Sequence, residues 1–216
     1  MENKLKAIIF DLDGVVTDTA EYHYKSWKLP LKEEGIDFTE EENEKLRGLS
    51  RRDSVKTIAE VKQVDFTKEK EDEIMKKKND YYQEIIEDLN KNDMISGIYE
   101  ILVELKNKNY KLAVASASRN AKQVIKSLEL DNFFELIADG NSVNKSKPEP
   151  DLFLFTAQEM GFKPEECLVI EDSKAGVKGA KKAGMKVIGI GPEERIGEAD
   201  YCYREVSNID LNEIIK

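Results

Sequence analysis

Short apolar segments recur along the chain and alternate with stretches of helical periodicity. The first segment, residues 5–10, is rich in large and β-branched apolar residues and ends at Asp11. An apolar run of this length that stops at a polar turn is typical of a strand buried on both faces. Similar runs predict further strands at residues 111–115, 136–138, 168–170 and 186–190.

Helical stretches separate these strands. After Ser96 and Gly97, apolar residues recur on one face of residues 98–105. Further helices are predicted near residues 120–128, 152–160 and 173–183. A regular alternation of strands and helices is typical of a parallel sheet covered by helices on both faces. The predicted fold class is therefore α/β, with a Rossmann-like parallel sheet as its core.

The pattern changes between residues 17 and 90, where charged residues crowd the chain and apolar residues follow a helical period. One apolar stripe contains Val55, Ile58 and Ala59, and another contains Ile74, Tyr81, Ile85 and Leu89. We therefore predict an inserted all-helical cap domain at residues 16–90. The core domain is predicted at residues 1–15 and 91–216.

Two local signals refine the prediction for the cap. Ser50 followed by Asp53 resembles a capping box, which predicts the start of a helix. Pro30 lies inside an otherwise helical stretch, and it predicts a kink or break there because proline cannot donate a backbone hydrogen bond.

Composition narrows the possible partners. The chain has 216 residues and a net charge of −10, which argues against nucleic acids and anionic membranes because both attract basic surfaces. A single histidine, His23, excludes a histidine-rich zinc site. Cys167 and Cys202 are expected to be small core residues in or beside strands. Two scattered cysteines, no signal peptide and no membrane-spanning run favour a cytoplasmic location.

Polar side chains follow several predicted strands at the edge where an open α/β sheet binds ligands. Four carboxylates are expected there, and unpaired carboxylates repel one another, so a divalent cation is their natural partner. Oxygen ligands of this kind favour Mg²⁺. Ser116 and Lys147 add a hydroxyl and a positive charge that suit a phosphoryl group. The four acids are Asp11, Asp13, Glu171 and Asp172.

These acids divide into roles. A carboxylate beside a metal stays ionised, so Asp11 can act as a nucleophile. Asp13, two residues later, can act as general acid and base. Arg51 and Arg119 offer planar guanidinium groups suited to a second phosphate.

Simpler interpretations exist for each residue taken alone. Asp13 with Gly14 can form a capping turn, the acids at 171–172 can cap the following helix, and Ser116 and Ser118 can cap another. Lys147 can be a solvated loop lysine. Arg51 and Arg119 can be surface arginines, Trp27 can be a core anchor, and His23 can be a cap-helix histidine with a satisfied hydrogen bond. Their occurrence at successive strand ends favours a shared site.

Four segments in order resemble the motifs of the haloacid dehalogenase superfamily of phosphotransferases. They are FDLDGVVTDT at 10–19, ASASRN at 115–120, KPEPD at 147–151 and VIEDSKAG at 169–176. The insert resembles the helical cap of its sugar-phosphate mutase branch, through DTAEYHYKSW at 18–27, RGLSRRDS at 47–54 and KKND at 77–80. The resemblance covers nearly the whole chain.

The resemblance implies interconversion of β-glucose 1-phosphate and β-glucose 6-phosphate. The implied route passes through an aspartyl-phosphate and β-glucose 1,6-bisphosphate, which also serves as activator. Asp11 and Asp172 would bind Mg²⁺ with the backbone carbonyl of Asp13, and Glu171 would support the metal site. A sugar-phosphate phosphatase of the same superfamily is the alternative. We also expect small sugar phosphates as the only partners, and a monomer.

Further binding roles are implied by the same resemblance. Ser116, Ala117 and Lys147 would surround the transferring phosphoryl group. The distal phosphate would meet Arg51, Ser118, Arg119 and Asn120. Gly48, Leu49 and Ser54 would line the sugar side with Trp27 and Arg47. Thr19 would mark a hinge, and His23 and Lys78 would help to place Asp13 when the cap closes. The branch carries lysine where this chain has Arg47 and Arg119, which alters reach and hydrogen-bond geometry.

Overall fold

The computed structural model describes residues 5–214 and contains one six-stranded parallel sheet. Its strands follow the order β3-β2-β1-β4-β5-β6. Their bounds are Ala7–Phe10 (β1), Lys111–Ala115 (β2), Leu136–Ala138 (β3), Cys167–Glu171 (β4), Lys186–Ile190 (β5) and Tyr201–Tyr203 (β6). The predicted α/β class is confirmed. The ends of the predicted core domain, residues 1–4 and 215–216, lie outside the described residues.

Helices flank the sheet and form the insert after β1. The insert contains Ala20–Glu33 (α1), Glu40–Glu44 (α2), Arg51–Lys62 (α3) and Lys68–Ile85 (α4). The core contains Ile98–Asn107 (α5), Ala121–Ser127 (α6), Asp151–Glu159 (α7), Lys174–Lys182 (α8), Glu193–Ile196 (α9) and Leu211–Ile214 (α10). Short 3₁₀ turns lie at Ile86–Asp88, Lys91–Asp93, Asp131–Phe133, Pro164–Glu166 and Val206–Asn208.

Strand β1 lies in the middle of the sheet and is buried on both faces. Ile8 and Phe10 pack into one apolar cluster, and Ala7 and Ile9 pack into another on the opposite face. This alternation follows from the two-residue period of a strand. The central position of β1 directs Asp11, the next residue, to the middle of the sheet's carboxyl edge.

Strand β6 was not predicted from the sequence. It is three residues long, pairs only with β5, and leaves Cys202 exposed. Such a short edge strand needs no continuous apolar run. The expectation that Cys202 is a core residue is therefore wrong, whereas Cys167 is buried in β4.

The insert has its own apolar core, in which Trp27 and Leu31 of α1 are buried. Helix α1 runs through Pro30 to Glu33, so the predicted break is wrong. Pro30 cannot donate a backbone hydrogen bond to the carbonyl four residues earlier, but Pro30 and Leu31 are buried, and their packing offsets that loss.

The predicted stripe is confirmed at Ile74 and Leu89, but between them the buried residues lie one position later than predicted. Tyr82 and Ile86 are buried, whereas Tyr81 and Ile85 are only partly buried. Tyr82, Ile86 and Leu89 belong to the apolar cluster of the main sheet. The last turns of α4 therefore pack against the core domain rather than within the cap.

Between residues 5 and 214, no helix is both long enough and apolar enough to cross a bilayer.

Candidate active site

Three carboxylates meet at the carboxyl edge of the sheet. Asp11 follows β1, Glu171 ends β4, and Asp172 follows it; all three are buried. The backbone N–H of Asp11 donates to the carbonyl of Ile170, 2.9 Å away, which fixes the two strand ends side by side. One oxygen of each carboxylate lies within 4.8 Å of the others. The predicted convergence of strand ends is therefore observed for these acids.

Lys147 lies between two of these carboxylates. Its Nζ is 2.5 Å from Oδ1 of Asp11 and 2.7 Å from Oε2 of Glu171. Burial favours loss of the ammonium proton, but the charges of Asp11 and Glu171 outweigh burial and raise the pKa of Lys147. With 1% of its surface exposed, Lys147 is not a solvated loop lysine. It is a buried cation fixed against the candidate nucleophile.

Glu171 is held by the start of α8. Its Oε1 accepts hydrogen bonds from the backbone N–H groups of Asp172 and Ser173 and from the Ser173 hydroxyl at 2.8 Å. A side chain at Gly176 would overlap the Glu171 carboxylate, so only glycine fits there. The hydroxyl of Ser173, not an acid, caps α8 by accepting a hydrogen bond from the N–H of Gly176, so the simpler interpretation of the acids as caps is wrong. Glu171 instead orders the turn before α8 and contacts Lys147.

The carboxylate cluster fits a divalent cation. Oδ1 of Asp172 is buried and has no hydrogen-bond partner among the described residues. Burial and the nearby Glu171 charge raise the pKa of Asp11 well above its usual range, although Lys147 opposes this effect. Both observations indicate that the neighbouring cations do not fully offset the charge of the buried carboxylates, and hard oxygen donors of this kind suit Mg²⁺. The residues that would hold the ion are Asp11 and Asp172.

We predict that cation binding depends on pH. Burial and the Glu171 charge raise the pKa of Asp172 to about 7. A raised pKa means that protons compete with the cation below that pH, so Mg²⁺ should bind roughly tenfold more weakly at pH 6 than at pH 8. Isothermal titration calorimetry in buffers of different ionisation enthalpy should detect proton release on binding at pH 6. A pH-independent affinity would contradict this assignment, and Asp172→Asn provides the control.

Asp13 faces a small polar cluster from the insert. Its Oδ1 accepts a hydrogen bond from the Thr19 hydroxyl and lies 3.6 Å from Nε2 of His23. Nδ1 of His23 lies 2.9 Å from Nζ of Lys78. Burial would raise the pKa of Asp13, but the His23 and Thr19 contacts and the Lys78 charge lower it. Asp13 is thus a carboxylate at neutral pH that is oriented by cap side chains.

Aromatic rings hold this cluster in place. Tyr82 stacks on His23 with ring centroids 4.5 Å apart, and Lys78 Nζ lies 4.1 Å from the Tyr82 centroid. The Trp27 centroid is 5.7 Å from the same Nζ. Trp27 is buried in the cap core and also lines the cavity described below. Both interpretations of Trp27, as a core anchor and as a site residue, are therefore compatible with its position.

The loop after β2 presents a row of polar groups. The Ser116 hydroxyl accepts a hydrogen bond from the N–H of Ser118, and the Ser118 hydroxyl accepts one from the N–H of Asn120. Helix α6 begins after Asn120 without a side-chain cap. The two serines therefore shape the loop rather than cap the helix. Ala117 and Ser118 line the cavity, and Ser116 is buried behind them.

A cavity of about 590 Å³ lies between the insert and the sheet edge. Asp11 and Asp13 line it at the core, together with His23, Lys78 and the loop at 117–120. From the cap, Leu49 and Ser54 line it, and so does Gly48. A side chain at Gly48, whose φ is +77°, would overlap the Ser173 hydroxyl. The cap loop therefore packs directly on the start of α8.

Two arginines, Arg51 and Arg119, line another part of the cavity. An NH2 of Arg51 donates to Oδ1 of Asn79 at 2.6 Å, and the amide of Asn120 donates to the same oxygen at 3.2 Å. Burial and the nearby Arg119 charge lower the pKa of Arg51 to about 10. Arg51 and Arg119 both line the cavity, and their guanidinium groups offer positive charge and planar donors that suit an anion.

Arg47 lines the cavity and also forms ion pairs with two acids. Its NH1 lies 2.7 Å from Oδ2 of Asp172, and its NH2 lies 2.8 Å from Oε1 of Glu44. A side chain at Gly14 would overlap the Asp172 carboxylate and approach Arg47. Arg47 thus connects the cap to the carboxylate cluster of the core.

The family model described as haloacid dehalogenase-like hydrolase matches residues 8–190 of this chain. The chain belongs to the haloacid dehalogenase-like hydrolase family. The β-phosphoglucomutase of Bacillus subtilis is 40% identical over 212 residues, 96% of this chain and 92% of that protein. The crystal structure of a β-phosphoglucomutase from Clostridium difficile has a TM-score of 0.92 and 35% identity, and it covers 97% of this chain and 95% of that one.

A phosphorylated carbohydrates phosphatase of Thermotoga maritima is 28% identical over 186 residues, 85% of this chain and 84% of that protein. The resemblance to the haloacid dehalogenase family is thus confirmed. The relatives include both a mutase and a phosphatase, the two activities that the sequence predicted as alternatives.

Three residues that make contacts in or beside the site were not predicted from the sequence. Asn79 follows Lys78 in the KKND segment and joins Arg51 to Asn120, so its position beside a predicted residue was the available signal. Glu44 and Arg195 form an ion pair of 3.5 Å between cap and core. No motif marks Glu44 or Arg195, because their proximity depends on how the cap packs against the sheet.

Proposed function

We propose that this chain is a Mg²⁺-dependent β-phosphoglucomutase, which interconverts β-glucose 1-phosphate and β-glucose 6-phosphate. The observation that carries the proposal is a cavity with chemistry for phosphate at both ends. Asp11 lines the core end of the cavity and is contacted by the buried ammonium of Lys147, and Arg51 and Arg119 line the cavity from another part of the molecule. A sugar bisphosphate has two anionic ends, whereas a monophosphate needs only one such site.

In the first step, Asp11 would attack the phosphorus nearest the core. A bond forms between a carboxylate oxygen of Asp11 and phosphorus, and the bond from phosphorus to the sugar oxygen breaks. Lys147, whose Nζ is 2.5 Å from Oδ1 of Asp11, remains positively charged and offsets the charge of the phosphoryl oxygens. The buried Ser116 hydroxyl is our candidate for a further contact to that group.

Asp13 would move the proton. As a carboxylate it accepts the proton of the sugar hydroxyl that attacks the aspartyl-phosphate, and it then gives that proton to the sugar oxygen that leaves when Asp11 attacks the bisphosphate. His23 and Thr19 orient its carboxylate through contacts to Oδ1. Because both residues belong to the insert, closing the cap would complete the acid/base group and exclude water at the same time.

Asp11, Asp172 and the backbone carbonyl of Asp13 would hold Mg²⁺, with Glu171 supporting the site. When bound, the ion would neutralise negative charge on the carboxylates and on the transferring group. β-Glucose 1,6-bisphosphate would serve as intermediate and activator. We further propose that the protein acts as a cytoplasmic monomer and that the cap comprises residues 16–90.

The proposal is tested with purified protein, Mg²⁺, β-glucose 1-phosphate and a trace of the bisphosphate. Phosphorus NMR should record glucose 6-phosphate accumulating faster than inorganic phosphate. Release of inorganic phosphate without glucose 6-phosphate would refute the mutase proposal. That result would instead support the second candidate, a sugar-phosphate phosphatase, which the likeness to the Thermotoga maritima phosphatase favours.

The distal phosphate site gives a more specific prediction. Replacing Arg51 by methionine removes a charged donor, so KM for the bisphosphate should rise about 10- to 100-fold. Hydrolysis of a small monophosphate substrate should change far less, because it needs only the core end. The control is Lys56→Met, an exposed cation on the same helix. Equal effects of Arg51→Met and Lys56→Met on KM would contradict the distal site.

A further inference from the structure

Four alternating charges join the cap to the core beside the carboxylate cluster. Arg47 of the cap bonds to Glu44 of α2 and to Asp172 of the core. Arg195, in α9 of the core, approaches the same two acids: its NH1 is 3.5 Å from Glu44 Oε2, and its NH2 is 3.9 Å from Asp172 Oδ2. We call Glu44, Arg47, Asp172 and Arg195 the charge ring.

The surrounding backbone leaves space for the charge ring. A side chain at Gly191, whose φ is +124°, would overlap the Arg195 guanidinium. A side chain at Gly14 would overlap the Asp172 carboxylate. Arg195 also donates to the carbonyl of Ile190 at the end of β5, 3.5 Å away. The contact with Ile190 therefore orients the Arg195 guanidinium, and its NH1 points toward Glu44 of the cap.

The charge ring uses only one oxygen of Asp172. Both arginines approach Oδ2, while Oδ1 remains buried without a partner among the described residues. Binding of a cation through Oδ1 is therefore compatible with an intact ring. The ring requires Glu44 and Arg47 of the cap to reach Asp172 and Arg195 of the core, as they do in this structure.

We propose that Arg195 is a positioning residue that holds the cap closed through Glu44. The inference rests on the proposed function, because a closed cap directs the phosphoryl group from Asp11 to a sugar hydroxyl instead of to water. Arg195 touches no reacting group. Its effect is on the time for which the site stays sealed, and therefore on the ratio of hydrolysis to isomerisation.

The first measurement follows the cap directly. Cysteines replacing the exposed residues Lys56 in the cap and Lys122 in the core, in a Cys202→Ser background, would carry spin labels. Pulsed electron paramagnetic resonance would give the distance distribution without any turnover. Arg195→Leu should shift this distribution toward longer distances, and Arg195→Lys should restore part of the wild-type distribution. The matched control is Arg204→Leu, an exposed arginine after β6.

The second measurement is the ratio of inorganic phosphate to glucose 6-phosphate. Arg195→Leu should raise it about two- to fivefold, the effect of a partly exposed ion pair. Glu44→Gln should raise it too, and adding Arg195→Leu to Glu44→Gln should add little, because Arg195 acts on the cap through the Glu44 contact that Glu44→Gln has already weakened. The rise in Arg195→Leu should also be smaller at high salt, which weakens the wild-type pair.

Distances and product ratios equal to those of Arg204→Leu would overturn the proposal, as would additive effects of the two substitutions. If the wild-type protein proves to be a phosphatase, the proposed function fails, but the label distances still decide whether Arg195 holds the cap. Circular dichroism would establish that each variant folds. Arg195→Gln, which keeps hydrogen-bonding groups without the charge, replaces Arg195→Leu with the same expectations if the latter does not fold.

Discussion

Replacing Lys147 by methionine should destabilise the Mg²⁺-free protein by about 3–5 kcal/mol and abolish turnover. The ammonium of Lys147 is the group that lies within 2.7 Å of both Asp11 and Glu171. Removing the ammonium leaves two buried carboxylates without the positive charge that offsets them. Methionine fills a similar volume but carries no charge. Urea unfolding in the presence of a chelator measures the free energy of unfolding.

The matched control for this prediction is Lys182→Met. Lys182 pairs with Glu149 at 2.8 Å, but both side chains are about half exposed. Exposed pairs contribute little, so this variant should lose less than about 1 kcal/mol. The Lys147→Met loss should also shrink below neutral pH, because burial and Glu171 raise the pKa of Asp11 and its protonation then relieves the unpaired charge. Equal losses in both variants would contradict the role of Lys147.

Replacing Asp13 by alanine should lower the rate of phosphoryl transfer from sugar phosphates by about 10²- to 10⁴-fold. The fold should survive, because Asp13 is only partly buried and lines the cavity. Steady-state kinetics and thermal unfolding measure the two effects. A variant that keeps most of its sugar-phosphate turnover would exclude Asp13 as the general acid and base.

A substrate with a better leaving group separates Asp13 from Asp11. Acetyl phosphate loses a carboxylate that needs no proton, so Asp13→Ala should still form an aspartyl-phosphate from it. Asp11→Asn should react with neither acetyl phosphate nor a sugar bisphosphate, because it lacks the nucleophile. Mass spectrometry of the protein after rapid quenching measures the phosphorylated fraction. Failure of both variants with acetyl phosphate would indicate that Asp13 does more than move a proton.

The central strands of the sheet could be predicted because they are buried on both faces. Such strands appear in the sequence as apolar runs, and residues 111–115 and 186–190 coincide with β2 and β5. Residues 136–138 coincide with β3, in which only Ala138 is fully buried. Strand β6 escaped prediction because an edge strand with exposed Cys202 lacks this pattern. Pro30 misled the prediction because the burial of Pro30 and Leu31 offsets the backbone hydrogen bond that the proline cannot donate.

In the candidate site, too, some residues could be predicted from the sequence and others could not. Asp11 and Glu171 were predictable because the carboxyl ends of parallel strands meet, whatever the loops between them do. The burial of Lys147 between them was not, since a lysine before a proline is usually a solvated residue. Asn79 and Arg195 depend on how the insert rests on the sheet, and no local pattern encodes that packing.

Helix α4 is shared between the two parts of the molecule, and this has a consequence for protein engineering. Tyr82 and Ile86 pack into the apolar cluster of the main sheet, while Ile74 packs inside the cap. A cap transplanted from a relative by cutting near residue 90 would carry foreign side chains into the recipient's core. Exchanges of substrate preference between relatives should therefore retain the host's own residues from Tyr82 onward and join the donor segment before them.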